Sequence, residues 1–102
     1  MNRGEIWLAQ VGRKRRPVLV LTRSSVLDVR ALVTVAEITT SVRGLAAEVP
    51  IDPEVVHLDR ESVVNCDGLH TVGQASLTTL VGEVDDQIMG RVCAAVSYAL
   101  GC

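Results

Sequence analysis

A cluster of four cations at residues 13–16 runs directly into a short apolar segment at residues 18–21. Pro17, which lies between them, fixes its own φ and favours an extended backbone at Arg16. The apolar segment is β-branched at alternate positions and too short for a buried helix, so it predicts a core strand. An arginine held at the mouth of a rigid strand can meet a phosphate with two donors at once. The alternative interpretation of the cations is a solvated basic turn.

The composition predicts one small, β-rich domain over residues 1–102, because a chain of 102 residues commonly builds a single modest core. Apolar residues make up 48% of the chain and aromatic residues only 2%, so aliphatic side chains must fill that core. Their strongly β-branched content favours strands. Trp7 is expected to pack in the core, with stacking on a nucleic-acid base as the alternative.

The three cysteines are odd in number and lack CxxC spacing, which argues against a zinc site or a disulfide framework and favours a reduced setting. Cys66 and Cys93 are predicted to be small core residues, and Cys102 an exposed thiol. No apolar run reaches the ~20 residues that span a bilayer, and the N-terminus lacks the apolar core of a signal peptide. We therefore expect a cytoplasmic protein with no membrane partner.

Charge is unevenly distributed along the chain, although the net charge is only −2. Residues 1–51 carry eight basic and four acidic side chains, a net charge of +4, whereas residues 52–102 carry two basic and eight acidic ones, a net charge of −6. This asymmetry predicts a basic face for an anionic partner. The alternative is that the two halves intermix in the fold and the asymmetry disappears.

Hydrophobic patterning predicts five or more short strands followed by one amphipathic helix. Strands are predicted over residues 3–9, 17–22, 31–38, 45–51 (an edge strand), 62–66 and 81–84, with a possible extended piece at 70–72. Loops or turns are predicted over residues 11–16, 24–30, 54–60 and 67–68, and a single helical turn over 76–80. The helix is expected over residues 85–100, with Asp85 as its N-cap and Gly101 as its stop. Together these elements favour a small, strongly bent sheet or barrel with a helix closing one face.

Four short motifs follow one another along the chain: Arg3-Gly4-Glu5-Ile6-Trp7, Arg16-Pro17-Val18, Ile38-Thr39-Thr40 and Ser62-Val63-Val64-Asn65-Cys66-Asp67. In this order and spacing they resemble the MazF/PemK (Kid) family of toxin endoribonucleases, from residue 3 to residue 100. The resemblance implies a mainly β (α+β) fold, an SH3-like, CcdB/MazF-type β-barrel with a C-terminal helix.

The resemblance also implies a function and a set of partners. It implies the toxin component of a type II toxin-antitoxin system, a homodimer that cleaves single-stranded RNA at short sequences. Cleavage would need neither a metal nor another cofactor and would leave 2′,3′-cyclic phosphate and 5′-hydroxyl ends. A cognate antitoxin would lay an acidic, otherwise disordered segment across the active groove. Operator DNA would be bound only through the toxin-antitoxin complex.

The family's catalytic arginine falls on Arg16 and its catalytic threonine on Thr39, and an aspartate implicated in some members falls on Asp67. Two departures affect the remaining roles. The loop between the first two strands is shorter than in Kid-like proteins and lacks their histidine. Asn65 and Gly68 stand where Kid-like proteins have arginine and glutamine.

Cleavage by a neighbouring 2′-hydroxyl requires a base, stabilisation of the phosphorane and a proton for the leaving oxygen. Arg16 is expected to stabilise the phosphorane charge and Thr39 to donate to the same phosphate. Asp67, Glu37 and His70 are the candidate bases, and His70 has the most suitable ordinary pKa. A structural histidine and a paired surface carboxylate are the alternatives for His70 and Glu37.

Further residues are assigned to RNA binding. The cations expected along the RNA backbone are Arg13, Lys14, Arg15 and Arg43, and the polar side chains expected to contact RNA are Thr40, Ser41, Asn65 and Thr71. Two other functions stay open at this point. One is a CcdB-like protein that poisons a topoisomerase without enzymatic activity. The other is a catalytically silent family member that binds only an antitoxin or operator DNA.

Overall fold

The computed structural model describes residues 1–11, 13–54 and 57–102, and the side chain of Val11 is outside this description. Its strands are β1 (Glu5–Val11), β2 (Lys14–Val20), β3 (Leu32–Thr39), β4 (Glu48–Ile51), β5 (Ser62–Gly73) and β6 (Leu77–Glu83). In the described residues they form one antiparallel sheet with the order β4-β5-β3-β2-β1-β6. A helix, α1 (Asp86–Leu100), follows β6. The predicted mainly β fold with a C-terminal helix is confirmed.

Alternation along β2 and β3 sends apolar side chains to both faces of the sheet. On one face, Leu19 and Ala36 are paired across the strands and belong to the same buried cluster as Val92 and Ala95 of α1. The other face carries a second buried cluster, whose members are Ala9, Val18, Val20, Leu27, Val33, Val35 and Leu77. Trp7 is half-buried against this second cluster, so its predicted packing role is confirmed in part.

The helix begins and ends as the sequence predicts. Asp85 is extended and its Oδ1 accepts a hydrogen bond from the backbone N–H of Ile88 at 2.9 Å, which satisfies one of the unpaired donors of the first turn. Gly101 adopts a φ of 74°, and the N–H of Cys102 bonds back to the carbonyl of Ser97. Glycine is favoured at this position because it adopts the left-handed conformation without steric cost from a Cβ atom. In the described residues, no helix is both long and apolar enough to cross a bilayer.

The predicted turn at residues 67–68 is wrong, because β5 continues through it as a single strand of 12 residues. The pairing with β3 shifts there: Glu37 pairs with Asn65, whereas Ala36 pairs with Leu69. Residues 66–68 are therefore extra on β5 and form a bulge, which bends a strand without reversing it. Residues 70–72 are the continuation of β5 rather than a separate piece.

Other predicted boundaries also move. Residues 14–16 lie in β2, where Arg16 is the cross-strand partner of Ala9 in β1. The predicted basic loop over 11–16 is therefore wrong for these three residues. The predicted helical turn over 76–80 is wrong as well, because a short 3₁₀ turn covers Gln74–Ser76 and β6 begins at Leu77. The turn predicted within 24–30 is present as a 3₁₀ turn, Ser24–Val26, and the predicted edge strand is β4. Gly12 of the first predicted loop and Val55 and Val56 of the loop over 54–60 lie outside the described residues.

One of the three cysteines is buried and the other two are exposed. Cys66 is buried in the first cluster and Cys102 is exposed, as predicted. Cys93 is exposed and its Sγ lies 2.6 Å from Nη2 of Arg3, so its predicted core role is wrong. Burial raises the pKa of the Cys66 thiol to about 11, with smaller contributions from Asp67 and Cys93.

We expect Asp85→Ala to lower the free energy of unfolding by about 1 kcal/mol, because it removes the N-cap bond to Ile88. Urea denaturation followed by circular dichroism measures this. Asp86→Ala is the matched control: it removes the same charge one residue later, and we expect a loss of only a few tenths of a kcal/mol. Equal losses for the two variants would contradict the capping role.

We expect Cys66 to resist thiol reagents in the folded protein, because the thiolate is the reactive form and burial suppresses it. In a Cys93→Ser, Cys102→Ser double variant, the remaining thiol should react with DTNB at pH 8 only after urea is added. Fast labelling of that variant without denaturant, under conditions where its circular dichroism is native, would show that Cys66 is not buried.

Candidate active site

The face that carries the second buried cluster becomes polar toward one end of β2 and β3. On β2, Val18 packs in the cluster, and the next side chain on the same face is Arg16. On β3, Val35 packs in the cluster and is followed on that face by Glu37 and Thr39. Side chains of a strand alternate between its faces, so Val18 and Arg16 are neighbours on this face of β2, as are Val35 and Glu37 on β3. On each strand the face therefore changes from buried apolar to polar between two neighbouring side chains.

The pairing of β2 with β3 brings Arg16 and Thr39 together. The last paired position is Val18 with Glu37, and the same register, continued by two residues, places Arg16 opposite Thr39. Both side chains line the same two adjoining depressions. Within the described part of the chain, the guanidinium of Arg16 has neither an ion-pair nor a hydrogen-bond partner, so its donors are available to a ligand.

The hydroxyl of Thr39 is oriented by the backbone. Its Oγ1 accepts a hydrogen bond from the N–H of Ser41 at 3.0 Å. A hydroxyl that accepts one bond keeps its own proton for donation to another group. Thr39 is therefore held as a donor beside Arg16, at the point where β3 ends.

The first depression has a volume of about 510 Å³ and is mainly basic. Its described lining residues are Lys14, Arg15, Arg16, Pro17, Ile38, Thr39, Thr40, Leu58, Asp59, Arg60 and Ser62. Among these described residues, four carry a positive charge and one a negative charge, so the depression attracts anions. Asp59 and Arg60 come from the acidic half of the sequence.

The second depression has a volume of about 330 Å³ and the opposite balance of charge. Its described lining residues are Arg16, Glu37, Ile38, Thr39, Ser41, Arg43, Leu45, Glu48, Asn65 and Asp67. Of these described residues, two are cations and three are carboxylates. The two halves of the sequence thus intermix here, and the predicted basic face is limited to the first depression.

Glu37, Asn65, Asp67 and His70 surround the β5 bulge. His70 Nε2 lies 2.8 Å from Oε1 of Glu37, and the N–H of Asp67 donates to Oδ1 of Asn65 at 3.1 Å. Glu37 and Asp67 line the second depression, whereas His70 lines neither depression and reaches the site through Glu37.

Two of the predicted RNA-binding residues are not brought to these depressions. Thr71 hydrogen-bonds Thr34 at 2.9 Å and lines a separate depression together with Arg30 and Leu32. Arg13 is exposed and lines neither of the two site depressions. Thr40 lines the first depression, and Ser41 and Arg43 line the second.

Sequence reasoning missed several lining residues: Leu45, Glu48, Leu58, Asp59, Arg60 and Ser62. Glu48 has a clear structural role, because its Oε1 accepts hydrogen bonds from the backbone N–H groups of Arg43 and Leu45 at 3.0 and 3.2 Å. It therefore anchors the segment between β3 and β4 that carries Ser41 and Arg43. The sequence signal was a glutamate alternating with apolar residues in a predicted edge strand, directly after that segment.

Comparison with known proteins decides the family. Residues 2–100 match the family described as the PemK-like, MazF-like toxin of type II toxin-antitoxin systems. The chain belongs to the PemK/MazF toxin family. The family resemblance read from the four sequence motifs is confirmed.

Curated relatives in this PemK/MazF family carry endoribonuclease names. Probable endoribonuclease MazF5 of Mycobacterium tuberculosis is 38% identical over 98% of this chain and 93% of its own length. Endoribonuclease MazF3 of the same species is 49% identical over 77 residues, which cover 76% of this chain and 73% of the relative. The family is therefore one of endoribonuclease toxins.

Solved structures confirm the MazF-type fold. The Mycobacterium tuberculosis toxin MazF-mt6 superposes with a TM-score of 0.89 at 41% identity, covering 95% of this chain and 96% of the toxin. An endoribonuclease from a mycobacterial species, solved in complex with its cognate antitoxin, also gives a TM-score of 0.89, at 26% identity over 99% of this chain and 95% of that protein. In the sheet of the described residues, β4 and β6 remain edge strands.

We expect Glu48→Ala to loosen the segment between β3 and β4, because the amides of Arg43 and Leu45 lose their acceptor. Hydrogen exchange measured by NMR should become at least tenfold faster at these two amides. Glu83→Ala, which removes an exposed carboxylate on β6, is the control and should leave both amides unchanged. Unchanged exchange in the Glu48 variant would rule out the anchoring role.

Proposed function

We propose that this chain is an endoribonuclease toxin that cleaves single-stranded RNA at short sequences without a metal, leaving 2′,3′-cyclic phosphate and 5′-hydroxyl ends. The observation that carries the proposal is the β2–β3 register, which sets Arg16 opposite Thr39 at the junction of the two depressions. These are the two positions to which the family resemblance assigns catalysis. We further propose that residues 1–102 act as a single toxin domain in the cytoplasm, where messenger RNA is translated.

The chemistry follows from these two side chains. Arg16 presents a planar set of donors to the non-bridging oxygens of the scissile phosphate and stabilises the charge of the phosphorane. Thr39 donates its free proton to the same phosphate. The attacking group is the 2′-hydroxyl of the preceding nucleotide, so DNA, which lacks it, is not cleaved.

Because the two depressions differ in charge, we assign a different part of the RNA to each of them. We assign the sugar–phosphate backbone to the first depression, where Lys14, Arg15 and Arg60 lie beside Arg16. We assign base recognition to the second depression, where the carboxylate of Asp67 can accept from donor groups of base edges and the side-chain NH2 of Asn65 can donate to acceptor groups. Single-stranded RNA exposes those edges for such contacts.

The basic first depression also suits an antitoxin. A solved relative is described as an endoribonuclease in complex with its cognate antitoxin, and we propose that an acidic, otherwise disordered antitoxin segment binds this chain along Lys14 to Arg16. Operator DNA would then be bound only through the complex. We also propose a homodimer, because Tyr98 and Leu100 leave apolar surface exposed, at 70% and 62% of their area, and β4 and β6 are open edges. Light scattering at micromolar concentration tests the dimer.

We expect Arg16→Ala to lower the rate of RNA cleavage in EDTA by ~10²–10³, because it removes a preorganised charge at the phosphate. Thr39→Val, which keeps the side-chain shape without the hydroxyl, should lower it by about tenfold or more. The assay uses a panel of labelled RNAs, with 5′-hydroxyl and cyclic phosphate ends identified by mass spectrometry.

Arg30→Ala is the matched control, because Arg30 is an exposed arginine that lines a different depression, and it should cleave at the unmodified rate. Undiminished cleavage by the Arg16 variant would remove the assignment. Binding of RNA without any product from the unmodified protein would support a silent family member. Inhibition of DNA supercoiling by the unmodified protein, without RNA cleavage, would support a CcdB-like protein.

A further inference from the structure

Glu37 lies on the same strand face as Thr39, one side-chain step along β3. Its carboxylate lines the second depression together with Arg16 and Thr39. The side chain is 26% exposed, so most of it is withdrawn from bulk water although it lines the depression. This places an acceptor beside the two residues assigned to the phosphate.

Glu37 is fixed from β5 by His70. Nε2 of His70 lies 2.8 Å from Oε1 of Glu37, and His70 is the cross-strand partner of Val35 on the same face. One carboxylate oxygen is thus held by the imidazole. The other oxygen, Oε2, has no hydrogen-bond partner in the part of the chain that the structure describes.

The β5 bulge makes room for that second oxygen. A side chain at Gly68 would place its Cβ only 2.8 Å from Oε2 of Glu37 and 3.1 Å from Nδ2 of Asn65. Real Cβ atoms essentially never approach another heavy atom below 3.0 Å. A side chain at residue 68 would therefore displace the Glu37 carboxylate from its present position.

We propose that Glu37 is the general base of RNA cleavage, that His70 is its positioning residue, and that Gly68 keeps the space it needs. This inference rests on the proposed endoribonuclease function. It assigns the role of general base, which Arg16 does not fill because it stays protonated.

The proton and bond changes balance without a further reactant. Oε2 of Glu37 takes the proton of the 2′-hydroxyl while the 2′-oxygen forms its bond to phosphorus. The bond from phosphorus to the 5′-oxygen breaks, and the 5′-oxygen leaves with a proton from water. The protonated Glu37 then returns its proton to the resulting hydroxide. The products are a 2′,3′-cyclic phosphate and a 5′-hydroxyl.

The other two candidate bases are placed less well for this role. His70 lines neither depression, and its Nε2 is occupied by Glu37. Asp67 lines the second depression but is exposed on the bulge, and no described residue holds its carboxylate. A base must be held within hydrogen-bond reach of the proton it takes, and only Glu37 among the three combines access with a fixed orientation.

The first test is Glu37→Gln, an isosteric change that keeps a partner for His70. In single-turnover assays its cleavage rate should be ~10²–10⁴ lower, the usual contribution of a positioned base. Affinity for an RNA with a 2′-deoxy nucleotide at the scissile position should stay within threefold. Glu83→Gln, which changes an exposed carboxylate on β6 away from the site depressions, is the matched control with an unmodified rate.

Two further readouts separate a base from a structural residue. The acid limb of the pH–rate profile should be absent from Glu37→Gln. A substrate with sulfur in place of the bridging 5′-oxygen, which leaves without a proton, should not restore the variant's rate. Among the described residues, the charged or titratable groups that share the depression with Glu37 or contact it are Arg16, Arg43, Glu48, Asp67 and His70. The profile is therefore also recorded for Asp67→Asn, which should keep its acid limb.

The supporting residues give a second, independent test. Gly68→Ala should displace the carboxylate, and His70→Ala should release it. Both variants should lose kcat by tenfold or more with KM within threefold, and both should keep the thermal midpoint within a few degrees of the original. His70→Gln, which retains a side-chain donor for Oε1, should recover part of the His70→Ala loss in kcat.

The outcomes are distinguishable. Cleavage by Glu37→Gln within threefold of the original rate, or its recovery on the sulfur substrate, would overturn the base assignment while Arg16→Ala stays inactive. Failure of the unmodified protein to cleave any RNA, or full cleavage by Arg16→Ala, would overturn the proposed function and this inference with it.

Discussion

The hydrogen-bonded ladder between β2 and β3 fixes the site more than any side-chain contact does. It sets Val18 against Glu37, and two residues further along it brings the arginine of one strand opposite the threonine of the next. A shift of one residue would turn either side chain to the opposite face of the sheet. The buried valines on the same face favour this register, because a one-residue slip would remove them from the cluster in which they pack. The hydrophobic core therefore determines where the proposed catalytic pair lies.

The bulge in β5 is the second constraint. Three residues, 66–68, fit against a single step of β3, and the three have different roles. Cys66 turns inward and is buried, Asp67 faces the depression, and Gly68 leaves space for the Glu37 carboxylate. In a regular strand these three extra residues would be absent, and Gly68 would not lie beside the Glu37 carboxylate. The irregularity is part of the site rather than a defect in the sheet.

Local patterns were sufficient where a single segment carries the information. The helix with Asp85 and Gly101 at its ends and the strand after Pro17 could be predicted because capping, periodicity and proline chemistry act within a few residues. The bulge could not, since an Asp-Gly pair suits a turn equally well and only pairing with β3 selects between them. The contact of His70 with Glu37 joins residues 33 positions apart in the sequence. No periodicity reports such pairs.

The two depressions have opposite charge balance, and this affects how binding responds to ionic strength. Added salt weakens the attraction of phosphates to the basic side, but it also weakens their repulsion from the carboxylates on the other side. Affinity should thus decline less steeply with salt than for a uniformly cationic groove with as many lysines and arginines. The repulsion also disfavours an RNA bound with its backbone over the carboxylates. In the proposed complex, the orientation of the RNA in the groove is therefore set partly by where its phosphates are excluded.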